Sequence, residues 1–436
     1  MKKFLTAALL FATLAANAQT ATLTSHGAEQ PRHQLRPYAT LDEAAANNPG
    51  ASRYIVPLDG WTRTEKDGRV RFTSEFVNPA AWINRQILVR TESASSGYSV
   101  EVGGVVAGSV ASGSTPAEFN ITKLAKSGLN TISVVLEPQS TNEPLLRAGV
   151  AWLGKVEIVS QPTIRVRDIE TRTTLNDAGD GIFEVAIAVK TDALNPKQAR
   201  ISYDLAADDE NLASGYRDMT LSMRGEDTVR FVAIVPKQLL WSTDSPTLLK
   251  LSIRNRIEGR YAENIVVPIG VRDVRYAQKS LYVNGKAETL KAKQSRPNIS
   301  VDDLLKLKEE GFNAVTVEAG EAAAGLYSAC DSAGVYVIAQ VPVDTSTGGR
   351  SIKRGGNASN DPSFTDEYLT RTWWTYHTAK SHPSVVAFSL GHGITDGINP
   401  YEAYLLLKGA DARRPVLYDG SNKEWNNDPF DIRFHR

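Results

Sequence analysis

The sequence predicts a multidomain β plus α/β chain: two successive β-sandwiches, then a domain of alternating helices and strands. Three observations carry this. Strand-length segments of alternating or apolar residues, separated by Gly and Ser clusters, fill residues 52–275. Near residue 281 the pattern changes, and helix-start signals alternate with short apolar runs. The 436 residues suffice for about three domains at the usual ~150 each.

Residues 1–18 read as a secretory signal. Lys2 and Lys3 give a positive start, Phe4 to Ala16 is too short an apolar run to span a bilayer, and Ala16-Asn17-Ala18 fits the cleavage pattern before Gln19. The alternative is a buried N-terminal helix, but nothing after it continues an apolar helix. The expectation is export to the periplasm, the cell surface or the medium. No Cys follows the run, so a lipid anchor is not supported, and no later segment suits a transmembrane span. Residues 19–51 are polar and mixed, and read as a leader that packs loosely.

Residues 52–161 form the first expected sandwich, with strands at Arg71 to Phe76, Ile87 to Arg90, Tyr98 to Val102 and Asn130 to Leu136. Residues 162–275 form the second. Phe183 to Val189 alternates strictly, Thr228 to Val235 follows suit, and the size suits an immunoglobulin-like sandwich. It lacks the cysteine pair of antibody domains. Cys330 is the sole cysteine of the chain. It lies on the apolar face of an expected helix, as a buried, inert thiol.

In residues 276–436, Ser300 caps a helix with Asp303 three positions on, Leu304, Leu305 and Leu307 line one side, and Gly311 ends it. A strand at Asn313 to Val317, a helix near 321–333 and a strand at Val335 to Ala339 follow. Asp361-Pro362 opens a longer helix that stops before Pro383. Further on come a strand at Val385 to Leu390, a helix from Asn399-Pro400 to near Gly409 and a strand at Pro415 to Tyr418. Repeated βα units imply a parallel sheet. The formal net charge is zero, so no bulk attraction to nucleic acid or anionic membrane is expected.

One stretch carries more than fold. His382-Pro383-Ser384-Val385-Val386-Ala387-Phe388-Ser389-Leu390-Gly391-His392-Gly393 resembles the fourth-strand motif of glycoside hydrolase family 2, the family of β-galactosidases, β-mannosidases and β-glucuronidases. Its members read roughly H-P-S-I-I-x-W-S-L-G-N-E there. Other marks agree in order. Val102-Gly103-Gly104, Pro116-Ala117-Glu118-Phe119-Asn120-Ile121-Thr122 and Gly128-Leu129-Asn130-Thr131-Ile132-Ser133-Val134 resemble the sugar-binding N-terminal domain. Leu240-Trp241-Ser242 with Asp244, Ser245, Pro246 and Leu248 is similar to the family's L-W-S-P-x-x-P-x-L-Y, and Gly270-Val271-Arg272-Asp273-Val274 and Leu281-Tyr282-Val283-Asn284-Gly285-Lys286 resemble the marks that lead into the barrel. The resemblance spans about residues 55–436. It implies a jelly-roll-like, sugar-binding-like sandwich at 52–161 and an incomplete (β/α) TIM-type barrel at 276–436.

The resemblance also implies lost catalysis. The family's general acid/base is the final Glu of the motif, here Gly393, which has no side chain to carry a proton. Retaining glycosidases need two carboxyl groups. The second lies on the family's seventh strand. Phe430-Asp431-Ile432 resembles the start of the sixth, and about 155 residues follow the barrel entry, against ~250 for a whole barrel. The R-T-S-H-Y-P-like run of strand two corresponds to Thr316-Val317-Glu318-Ala319-Gly320, and the V-I-D-E end of strand three to Val337-Ile338-Ala339-Gln340.

The candidate ligand-binding residues are therefore Glu318, Gln340, His392 and Asp396. A His and a carboxylate on neighbouring strands can do acid/base work; the alternative is that they are solvated loop residues. A metal set of His392, His435 and Asp396 lacks paired-ligand spacing, so no metal is expected, and no cofactor motif is apparent. Trp373-Trp374 falls in a helix, with one ring expected on the barrel and one exposed. The expected partners are a glycan, and a second copy or another exported protein covering the open barrel edge. Three readings follow: a non-catalytic glycan-binding or assembly module, a working β-glycosidase with replacement groups, or a purely structural envelope protein.

Overall fold

The computed structural model describes residues 25–138, 150–208, 210–295, 299–320, 323–346, 348–349, 351, 353–419 and 431–434. The signal at 1–18, Gln19, Phe430 and His435 lie outside the described residues.

The first sandwich packs a six-stranded sheet on a four-stranded one, with every strand pair antiparallel. Period-two patterning builds it. Along Tyr98–Val102 the side chains of Tyr98, Val100 and Val102 are buried, while Ser99 and Glu101 between them are partly exposed. The core joins Val100, Ile132, Val134 and Phe76 from one sheet to Val89, Phe119 and Ile158 from the other.

The supposed leader does not pack loosely. Ser25–His26 adds an edge strand to the larger sheet by pairing with Val105–Val110. Arg32 is 2% exposed and forms an ion pair with Glu118, which also holds Arg90. Leu35 and Tyr38 are buried, and Tyr38 bridges to Asn264 of the second sandwich. Thr40 then caps a short helix, Leu41–Ala46. These anchors are single residues in a polar background, and their partners lie far along the chain. No local periodicity marks them.

The second sandwich stacks the three strands Ile164–Leu175, Gly181–Thr191 and Glu226–Val235 on a four-stranded sheet. In its core Val166, Val185 and Ile187 pack with Ile201, Leu251 and Ile253, beside the rings of Phe183, Tyr203 and Phe231. A small meander, residues 274–288, leads into the last domain.

That domain is a partial TIM-type barrel. Its strands are β1 (Ala292–Gln294), β2 (Ala314–Glu318), β3 (Tyr336–Gln340), β4 (Val385–Ser389), β5 (Val416–Asp419) and β6 (Ile432–Phe434). They pair in parallel in sequence order. The helices between them are α1 (Val301–Glu309), α2 (Ala323–Ala333), α3 (Thr365–Ala379) and α4 (Ile398–Ala410). Ser300 and Asp303 form a capping box at the start of α1. Leu304 and Leu307 are buried there, but Leu305 is 44% exposed, because one residue turns the helix by 100°. Trp374 is buried and Trp373 half-buried, so neither ring of that pair stands free in solvent. Cys330 is fully buried, and burial pushes its thiol pKa well up. Trp241 of the second sandwich donates from Nε1 to the Asp331 carbonyl at 2.8 Å and so ties the sandwich to α2. Among the described residues, no helix is long and apolar enough to cross a membrane.

Candidate functional site at the ends of strands two to four

Because the strands are parallel, their last residues gather at one end. Glu318 closes β2 and lies in register with Gln340, which closes β3; Gln340 in turn lies in register with Ser389 of β4. Gln340 Nε2 points to Glu318 Oε2 at 3.5 Å. Gln340 is 3% exposed, so it supports Glu318 from the interior. Glu318 and His392 are both half-buried.

Beyond the strands, the chains leaving β3 and β4 stay together. Asp344 and His392 form a parallel bridge, with the His392 amide donating to the Val343 carbonyl at 2.8 Å. The approach is close. A Cβ on Gly391 would stand 2.6 Å from the Val343 oxygen, so only glycine fits. Gly393 has a left-handed φ of 56°. A Cβ there would lie 3.0 Å from Ser346 Cβ and 3.9 Å from Asp344 Oδ1. Asp344 Oδ1 accepts from the Ser346 amide at 3.0 Å and from its hydroxyl at 2.6 Å.

Asp396 departs from expectation. It is 2% exposed, and its carbonyl accepts from Asn360 Nδ2 at 2.7 Å. The turn after Gly393 carries it under the surface, whereas Glu318, Asp344 and His392 are half-buried. Among the described residues, no group of three or more His, Cys, Asp or Glu side chains gathers as a metal site requires.

The first sandwich forms one side of this end. Arg371 of α3 is buried, pairs with Glu367 at 2.6 Å, and donates to the Pro342 carbonyl and to Ser112 Oγ at 2.5 and 3.0 Å. Gly320, just past β2, approaches the Ser114 carbonyl. Asp344, Ser346, Ser112 and Arg371 were not picked out from the sequence. For Asp344 there was a weak signal, an acid four residues past the end of a strand. For Ser112 there was none.

Family comparisons agree with this geometry. The model for glycosyl hydrolases family 2, TIM barrel domain, matches residues 279–433, and that for glycosyl hydrolases family 2 matches residues 164–272. The chain belongs to glycoside hydrolase family 2. It is 25% identical over 412 residues to a β-galactosidase of Psychromonas ingrahamii, covering 89% of this chain and 38% of that one. It is 24% identical over 435 residues to a β-galactosidase of Priestia megaterium, covering 93% and 40%. The chain thus spans about two fifths of the length of these relatives. Among solved structures, Bacteroides uniformis β-glucuronidase superposes with a TM-score of 0.69 at 16% identity, covering 91% of this chain and 53% of that one. The β-D-glucuronidase of Dictyoglomus thermophilum gives 0.68 at 18% identity, covering 86% and 74%. In this family 2 chain the structure holds Gly393 beside Ser346 and Asp344.

Proposed function

We propose that this family 2 chain is an exported protein that recognises a carbohydrate at the ends of β2, β3 and β4 without cleaving it. The observation that carries the reading is Gly393. Its position bears no carboxyl group, and its left-handed backbone faces Ser346 rather than an open pocket. Retaining hydrolysis needs an acid within about 5–5.5 Å of a nucleophilic carboxylate. Glu318, Asp344 and His392 remain as polar groups able to bond sugar hydroxyls. The names of the relatives, β-galactosidase and β-glucuronidase, direct the search to β-linked galactosides and glucuronides.

A second reading has one observation in its favour. The Asp344 carboxylate stands 3.9 Å from where a side chain at position 393 would begin, so a working glycosidase would use Asp344 as its acid.

Both readings are tested by screening the mature chain, Gln19 to Arg436, on a glycan array and against aryl β-glycosides. Specific binding without turnover supports the first. Turnover that Asp344→Asn abolishes supports the second. A folded protein with neither binding nor turnover sinks both. Export predicts that the protein recovered from its producing cells begins at Gln19.

A further inference from the structure

A concave site lies at the opposite end of the barrel from Glu318 and His392, where the second sandwich meets the loops that follow α3 and α4. It is a cleft of about 370 Å³. Five cationic side chains line it: Arg172, Arg272, Lys380, Arg413 and Arg414. Three are matched by carboxylates. Lys380 pairs with Asp168, Arg413 with Asp273 and Arg414 with Asp411. Among the described residues, Arg172 and Arg272 form no ion pair.

Arg272 is the more telling of the two. It is half-buried in the linker between sandwich and barrel, and its guanidinium donates only to the backbone carbonyls of His382, Pro383 and Val385. Carbonyl dipoles replace part of its hydration but do not neutralise it, and the carboxylates that act on it, Asp331 and Asp411, make no direct ion pair with it. Burial, then the nearby charge of Arg414, pull its pKa down to about 9. Glu170 is the one lining carboxylate outside those three pairs. It stands exposed on the strand that carries Arg172, and the Tyr376 hydroxyl reaches it at 3.5 Å. The lining thus presents two guanidinium groups outside ion pairs and one such carboxylate, with Glu184 opposite Arg172 across the sheet and Asp331 and Asp411 acting on Arg272 without direct contact.

We propose that this cleft binds a small tetrahedral oxyanion, phosphate or sulfate, free or as an ester on a larger molecule, with Arg172 and Arg272 as its charge partners. Planar guanidinium groups suit such anions, because each presents parallel N–H donors to two oxygens. The site is separate from the strand ends that hold Glu318 and His392, so it stands or falls independently of the carbohydrate reading.

The test is calorimetric titration of the mature chain with inorganic phosphate, inorganic sulfate and a sulfated disaccharide, each at ionic strength matched with sodium chloride. Saturable binding of the inorganic ions identifies a free-anion site; binding of the disaccharide alone identifies an ester. Arg172 is exposed, so Arg172→Ala should fold normally. It should weaken binding about tenfold, the effect of one lost charge-assisted hydrogen bond. Glu170→Gln should act in the opposite sense and tighten it. Neither variant should change the glycan-array profile. The proposal is overturned if no probe binds beyond the chloride control, or if both variants bind as the unaltered chain does.

Discussion

Lys380 and Asp168 meet across the seam between barrel and second sandwich, with Lys380 Nζ donating to Asp168 Oδ2 at 2.5 Å. The same carboxylate serves two other segments. Its Oδ1 accepts from the His33 amide at 3.0 Å and from the Ile169 amide at 2.9 Å. His377 stands 3.5 Å from Oδ2. One acidic side chain thus joins the N-terminal segment, a sandwich strand and the end of α3. Burial alone would raise its pKa, but Lys380 and His377 outweigh that and hold it well below the ordinary carboxylate range.

Lys380→Met should therefore destabilise the chain by about 3 kcal/mol, since it leaves a largely buried carboxylate without its charge partner. Asp168→Asn should cost a comparable amount. The double variant should cost far less than the two together, with a coupling of about 2 kcal/mol. Urea unfolding of the four proteins measures this. Simple additivity would show that the seam does not depend on the pair.

The same seam fixes the direction of the pH dependence. His33 and His377 are neutral in the folded protein: burial and the charge of His382 lower the first to about 3, while burial and Lys380 lower the second to about 4. The groups facing them are Asp168, Lys380, His382 and Arg167. In the unfolded chain both imidazoles take up protons near pH 6.5. Between that pH and their folded values the unfolded state binds more protons, so stability falls as pH falls. At pH 4 each histidine costs on the order of 3 kcal/mol. Asp168 adds to the loss only below about pH 4, where the unfolded carboxylate protonates. Unfolding midpoints at pH 7, 5.5 and 4 should drop steadily, and His33→Gln with His377→Gln should flatten the drop. A flat profile in the unaltered protein would refute the assignment of neutral, buried imidazoles.

How much of this could be read beforehand depends on range. Tyr98, Val100 and Val102 announce a half-buried strand within five residues, and Ser300 with Asp303 announces a helix start within four. Gly393 was legible because a motif places it just past the end of β4. The role of Arg32 was not, since its partner Glu118 lies 86 positions away. Asp344 joins the site through the bridge to His392, a contact between two loops that no local pattern encodes. Gln340 closes β3 but is buried, and Asp396 lies well past the end of β4 and under the surface. Their burial depends on how neighbouring segments pack over them, which the residue order of a single strand does not record.

Gly393 itself provides the sharpest test of the proposed non-catalytic reading. If its glycine were one substitution away from a working acid, Gly393→Glu would restore turnover. The backbone argues otherwise. A φ of 56° is costly for any residue with a Cβ, by about 1–2 kcal/mol. The new Cβ would also crowd Ser346 Cβ at 3.0 Å and approach the Asp344 carboxylate. A glutamate placed there starts beside a like charge, on a chain that must shift to admit it. Gly393→Ala should thus lower stability by about 1 kcal/mol, and Gly393→Glu should show a similar or larger loss with no aryl β-glycosidase activity. Relief of the contact by Ser346→Gly should recover part of the stability and still no turnover. Hydrolysis by the single Gly393→Glu variant, with its fold intact, would mean that the site is poised for catalysis and lacks only a proton donor.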